Sequence, residues 1–193
     1  MACLTFDVRQ KMKKIAIIAF SMALEGCLMQ THALKTDVGN YHGDGAIEDI
    51  SIGSLLFRSA GFRITLPVFQ GTAPIDHLYQ LGSLPATKEK NLVILFQVPA
   101  ARYQSLQRGH DQGKGRLRYE LLDKSNRIAY QVELNLDDAI WAISRYQVAA
   151  YPSSGFYFGY DPGQSYSLHL SYTPGTKPFD DPIAIVIESG GIK

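Results

Sequence analysis

The sequence predicts an all-β fold, an antiparallel β-sandwich of about seven or eight strands with one or two short helices. Three observations carry this. Apolar residues recur with a period of two rather than 3.6, the alternating runs are five to eight residues long, and turn formers separate them. Short strands at that spacing, punctuated by glycine, proline and aspartate, are the pattern of two packed antiparallel sheets.

In chain order, Phe62, Ile64 and Leu66 alternate with Arg63 and Thr65, and Pro67 marks a strand end or an edge. Residues 92–98 form an apolar run broken only by Gln97 and closed by Pro99, which suits a strand buried on both faces or in a sandwich core. Residues 100–107 suit a short helix. The glycine-rich stretch 109–115 reads as a loop at a hairpin tip. Residues 117–122 and 128–134 flank a polar turn at 123–127 and form the clearest hairpin in the chain. Residues 137–146 suit a second helix, with Asp137 and Asp138 as capping residues, or else a strand. Residues 155–160 are an aromatic stretch ended by the turn Asp161-Pro162-Gly163. Next, Tyr166, Leu168, Leu170 and Tyr172 share one face of a strand, and Ser165, Ser167, His169 and Ser171 share the other, exposed one. After a loop at 174–182, residues 183–187 give the last strand. Immunoglobulin-like or transthyretin-like sandwiches have this layout.

With 193 residues the chain accommodates one ordinary domain plus its ends. Hydrophobic residues make up 46% and charged residues 19%, which excludes disorder as the overall state. From Leu28 onward there are 15 basic and 16 acidic residues, so no basic surplus points to nucleic acid. Cys3 and Cys27 are the only cysteines, so beyond residue 27 thiol catalysis and cysteine-bound metal are excluded.

The N-terminal segment has its own chemistry. Lys11, Lys13 and Lys14 precede about ten mostly apolar residues, 15–24, the basic and hydrophobic regions of a secretory signal. That run is too short for a bilayer core, which needs roughly 20 helical residues. It ends in Leu24-Glu25-Gly26-Cys27, which resembles the lipobox of bacterial lipoproteins: an aliphatic residue, a variable one, a small one, then cysteine. Glu25 stands where a small or β-branched residue is usual. The resemblance implies cleavage after Gly26, a diacylglyceryl thioether on Cys27 and an acylated new N-terminus. Leu28, where aspartate would signal inner-membrane retention in enteric bacteria, implies the outer membrane. Met12 is the expected start of translation, since residues 1–11 do not suit a signal peptide.

Three segments follow: a signal region at 1–26, a lipidated N-terminus and flexible polar tether at 27–48, and a β-sandwich domain at 49–193. The whole layout resembles the small periplasmic β-sandwich lipoproteins of Gram-negative bacteria, some of them secretion-apparatus accessories and some immunity proteins against toxins of rival cells.

Within the domain, chemistry is hard to find. His32, His42, His77, His110 and His169 show no metal-ligand spacing with one another. Ser153 and Ser154 lack the glycine two positions ahead that a nucleophile elbow requires, and residues 109–115 do not match a phosphate-binding loop. Asp137-Asp138 and Asp180-Asp181 are adjacent pairs at turns, without the spaced oxygen ligands of a calcium loop. No cofactor or metal is therefore expected.

The feature that leans toward binding is aromatic. Tyr151, Phe156, Tyr157, Phe158 and Tyr160 crowd one stretch, and tyrosine brings area and a hydrogen bond to interfaces at low entropic cost. The same pattern suits a strand whose aromatics fill the core. With His110 in the glycine-rich loop, these five are the candidate partner-binding residues, and Cys27 is the lipidation site. The expected function is a lipid-anchored, non-catalytic module that holds a protein partner in the periplasm. An envelope enzyme acting on glycan or lipid is the alternative, and it requires a pocket where His77, His110 or His169 meets a carboxylate. A structural envelope lipoprotein is a third reading.

Overall fold

The structure is a computed structural model that describes residues 36–189, apart from 55–56, 108–111, 145–146 and 152–156. Two antiparallel sheets form a sandwich. The larger runs in the order β1 (Ala46–Ser54), β2 (Phe57–Thr65), β12 (Pro182–Ser189), β5 (Asn91–Pro99), β9 (Gln147–Tyr151) and β8 (Ile140–Ser144). Two short strands attach to it, β3 (Phe69–Gln70) on β12 and β10 (Phe158–Gly159) on β5. The smaller sheet runs β4 (Ile75–Ser83), β11 (Ser165–Pro174), β6 (Gly115–Leu122) and β7 (Ile128–Asn135).

Alternation explains which faces meet. On β11 the residues Tyr166, Leu168, Leu170 and Tyr172 are buried, and Leu117, Tyr119 and Leu121 of β6 beside them complete the inner face of the small sheet. Across the gap stand Phe62 and Ile64 of β2, Ile183, Ile185 and Ile187 of β12, and Leu92, Ile94, Phe96 and Val98 of β5. Strand β5 is buried from Leu92 to Val98 on both faces, as its unbroken apolar run requires of a central strand. Its outward residues Val93 and Leu95 cluster with Val186 of β12.

The predicted hairpin is present as β6 and β7. Asp123 shapes its turn, its carboxylate accepting from the backbone amides of Ser125 (2.7 Å) and Arg127 (3.1 Å). Residues 100–107 are helical as predicted: a 3-10 turn at Ala100–Arg102 leads into α1 (Tyr103–Gln107). Of the two alternatives for residues 137–146, the strand is the one formed, at Ile140–Ser144, and not the helix. Asp137 turns its carboxylate to the amides of Gly113 and Lys114, both at 2.9 Å, instead of capping a helix. The chain then forms β8, which pairs with β9 from Ile140↔Tyr151 to Ser144↔Gln147. Tertiary packing decides this: Trp141 enters the core edge-on to Phe96 and Phe179, and its indole N–H donates to the Leu136 carbonyl at 3.3 Å.

The folded region also begins earlier than residue 49. Thr36 is buried, its hydroxyl donating to the Gly61 carbonyl (2.9 Å) and its amide to Asp49 Oδ1 (3.0 Å). Val38 and Tyr41 pack against the core, and Asp44 clasps Gln80 of edge strand β4, its carboxylate accepting from the Gln80 amide at 2.7 Å. Gly43 lies so close to β4 that a Cβ there would come within 2.5 Å of the Leu81 carbonyl group. Residues 36–45 thus strap the β1 side of the large sheet to the edge of the small one. The isolated apolar residues that read as tether are its contacts.

Strands β9 and β10 lie along the same edge of β5, because β12 occupies the other. Ala150 faces Phe96, so an unbroken strand would set residue 154 against Leu92, yet Phe158 stands there, four residues later.

Candidate functional site

The outer face of the small sheet carries a cluster of ionisable side chains. His169 on β11 lies between edge strand β4 and strand β6. Its Nε2 is 2.6 Å from Asp76 Oδ1, and its Nδ1 is 3.2 Å from Glu120 Oε2. Arg118 donates to the other Glu120 oxygen at 2.5 Å. Next to it, the Ser167 hydroxyl donates to Gln80 Oε1 at 2.8 Å.

A histidine that donates from both nitrogens is an imidazolium, since the neutral ring has a single N–H. The hydrogen bond to Asp76, then that to Glu120, raises the His169 pKa above its ordinary value. The Glu120 carboxyl is held below the usual range, first by His169 and then by Arg118. The arrangement sets the His169 ring between two carboxylates and links three strands.

Of the other histidines, His77 packs edge-on against the Tyr79 ring, 4.5 Å between centroids, and His110 lies outside the described residues. An enzyme required a histidine to meet a carboxylate inside a pocket. The meeting occurs at His169, on an outer sheet face. A separate groove of about 500 Å³ is lined by Glu89, Lys90, Asp123, Arg127, Asp161 and Tyr166 among others, with no histidine among the described residues. Its Arg127 is held by Asp123 through Nε (3.1 Å) and Nη2 (3.0 Å). Among the described residues, no three His, Cys, Asp or Glu side chains gather to hold a metal ion.

The predicted partner-binding aromatics separate into different environments. Phe158 is buried and stacks on Tyr130. Tyr160 is buried beside Phe62, its hydroxyl donating to the Pro85 carbonyl at 2.6 Å. Thr87 and Ser189 extend that bond into a buried chain of hydroxyls, with Thr87 3.0 Å from Tyr160 and Ser189 3.1 Å from Thr87. Both rings are therefore inside the domain and offer a partner no area. Tyr157 is half-buried against Val93, Leu95 and Val186 on the outer face of the large sheet, where burial and then Glu188 raise its pKa. Tyr151 ends β9 opposite Ile140. Phe156 and the lipidation candidate Cys27 lie outside the described residues.

Sequence reasoning missed the His169 cluster. It read His169 as an exposed residue on a polar face, which is the correct face, but the partners come from 93 and 49 residues away along the chain. Only the strand order β4-β11-β6 brings them together, and no local signal announces that order.

No family model matches the chain, and no curated protein matches it. A solved structure titled "Sialidase" is similar over 81% of this chain, with 11% identity and a TM-score of 0.21. The chain corresponds to 14% of the length of that structure. A likeness so slight carries no argument about fold or function.

Proposed function

We propose that this chain is a lipoprotein of the bacterial cell envelope, held at the periplasmic face of the outer membrane through Cys27, whose β-sandwich is a non-catalytic module for a protein partner. An immunity protein or a secretion-apparatus accessory has this organisation. The observation that carries the reading is the junction between signal and fold. The lipobox-like stretch ends at Cys27, and the packed sandwich is in place from Thr36, so an export-and-anchor signal leads directly into a self-contained domain. The bonding of His169 agrees with it, because a ring held by two carboxylates on an outer sheet face ties three strands together.

The withdrawal of Phe158 and Tyr160 into the core moves the proposed partner surface to the neighbourhood of Tyr157, with Tyr151 and Phe156 as its sequence neighbours. Cell fractionation tests the anchoring directly. The wild-type protein is expected in the membrane fraction and released by detergent, and Cys27→Ser in a soluble or unprocessed form. Equal membrane retention of a Cys27→Ser chain that has lost its signal region would remove the lipid anchor from the proposal.

A further inference from the structure

The two edges of the small sheet are guarded unequally. On β4 the strap covers the edge at Gln80, whose amide donates to the Asp44 carboxylate at 2.7 Å and whose carbonyl accepts from the Asp44 amide. The other edge, β7, has β6 as its one strand partner among the described residues. An open edge is a template for another strand, and proteins ordinarily blunt it with lysine, proline or a bulge. Residues 128–135 carry a single charge, at Glu133, and no proline. The bulge falls at Ala129, between the pairs Leu121↔Tyr130 and Leu122↔Ile128, so residues 130–134 are regular.

The phase of the hydrogen bonds sets what this edge presents. The Leu136 amide donates to the Gly115 carbonyl at 3.0 Å, and in the same register Leu134, Val132 and Tyr130 stand opposite Leu117, Tyr119 and Leu121. Antiparallel pairs alternate between bonded and non-bonded, so these are bonded pairs, and the N–H and C=O of Gln131 and Glu133 point away from β6 to the open edge. Both side chains are exposed, and neither makes a hydrogen bond or ion pair among the described residues. Arg118, opposite Glu133, donates to Glu120 instead.

Three registers let those groups bond to a second β7 related by a two-fold axis. Glu133 opposite itself sets like charges face to face, which is destabilising. Gln131 opposite itself brings Glu133 to the bulged Ala129, where the ladder breaks. With the axis through Val132, Gln131 of each copy faces Glu133 of the other. Both backbone bonds of each pair then form, the carboxamide donates to the carboxylate, and residues 130–134 are used end to end.

We infer that β7 pairs antiparallel with β7 of a second copy of this chain, about a two-fold axis through Val132, joining two small sheets into one. The test uses the full chain, purified in detergent and mildly oxidised, with Val132→Cys, Gln131→Cys or, as reference on the β6–β7 turn, Lys124→Cys. Disulfide-linked peptides are identified by mass spectrometry. At the axis the two residues 132 lie about 4.5 Å apart between Cα atoms, within disulfide reach, whereas the two residues 131 are offset to roughly 8 Å. Val132→Cys is expected to give at least about fivefold more symmetric dimer than either other variant. Added to it, Gln131→Lys should raise the yield and Gln131→Glu lower it, each about threefold, because residue 131 faces Glu133. Sedimentation of these two charge variants without the added cysteine should show the same order of dimer affinity. Linking at residue 132 no better than at 124 or 131, or dimerisation indifferent to the charge at 131, overturns the pairing. Disulfides from Val132→Cys to other proteins in whole cells, in place of the symmetric one, would assign the edge to a different partner and overturn it as well.

Discussion

Tyr130 of the small sheet lies flat on Phe158 of the large one, with ring centroids 4.3 Å apart and planes inclined by 15°. The stack closes the flank of the sandwich between β7 and β10, opposite the strap of residues 36–45. It also settles what part of the aromatic stretch is for: Phe158 fills the core.

Replacing Phe158 with alanine should therefore act on stability. Removing a buried phenylalanine ring costs about 3–5 kcal/mol, and Phe158→Leu, which keeps most of the volume, about 1 kcal/mol. Urea unfolding followed by tryptophan fluorescence measures both, since Trp141, the single tryptophan, is itself in the core. Two variants equal to wild type in midpoint would place Phe158 outside the core.

The hairpin β6–β7, the strand β11 and the last strand were legible because each announces itself locally, by alternation and by a turn with aspartate or glycine. The strap, β4 and the β8–β9 hairpin were not. Val38 and Tyr41 are isolated apolar residues in a polar stretch, and only contact with the sandwich gives them a role. Ile140 and Trp141 follow two aspartates, a helix-start pattern that yields once Trp141 finds its place between Phe96 and Phe179. The His169 cluster is wholly a product of register.

That cluster predicts a dependence on pH. The pKa of His169 lies above the ordinary 6.5 in the fold, so its stabilisation is complete below pH 6.5 and is lost as the pH rises through the raised value. Glu120 acts oppositely: its pKa lies below 4.5, so its contribution is complete above pH 4.5 and is lost as the pH falls through the lowered value. Between those limits the cluster is strongest. The His169 side chain is 38% exposed and that of Asp76 76%, so solvent screening holds the effect below about 1 kcal/mol. The melting temperature at pH 8.5 should be about 1–3 °C lower than at pH 5.5, and His169→Gln should shrink that difference. An unchanged difference in the variant would assign the pH response to other groups.

The strap predicts where the domain can be cut. A chain beginning at residue 49 loses Thr36, Val38, Tyr41 and the Asp44 clasp on β4, and should unfold at clearly lower urea than one beginning at Thr36. Thr36→Val, which keeps the shape and removes the bond to Gly61, should cost about 1–2 kcal/mol. Equal midpoints for the two chain lengths would return residues 36–48 to the tether.

Asp137 predicts local opening. Its carboxylate holds the amides of Gly113 and Lys114 at the end of the glycine-rich loop, and Asp137→Ala strips both of their acceptors. The expected cost is about 1–3 kcal/mol, with faster amide hydrogen exchange at Gly113 and Lys114 and little change at β11. Uniform acceleration across the domain would contradict a local role.

The account as a whole turns on Cys27. Intact-mass and N-terminal peptide analysis of protein extracted from membranes tests it most directly. The result predicted is a chain that starts at Cys27 and carries a diacylglyceryl thioether with a further acyl group on its amine. A mature chain that starts elsewhere, or an unmodified thiol at Cys27, would contradict it.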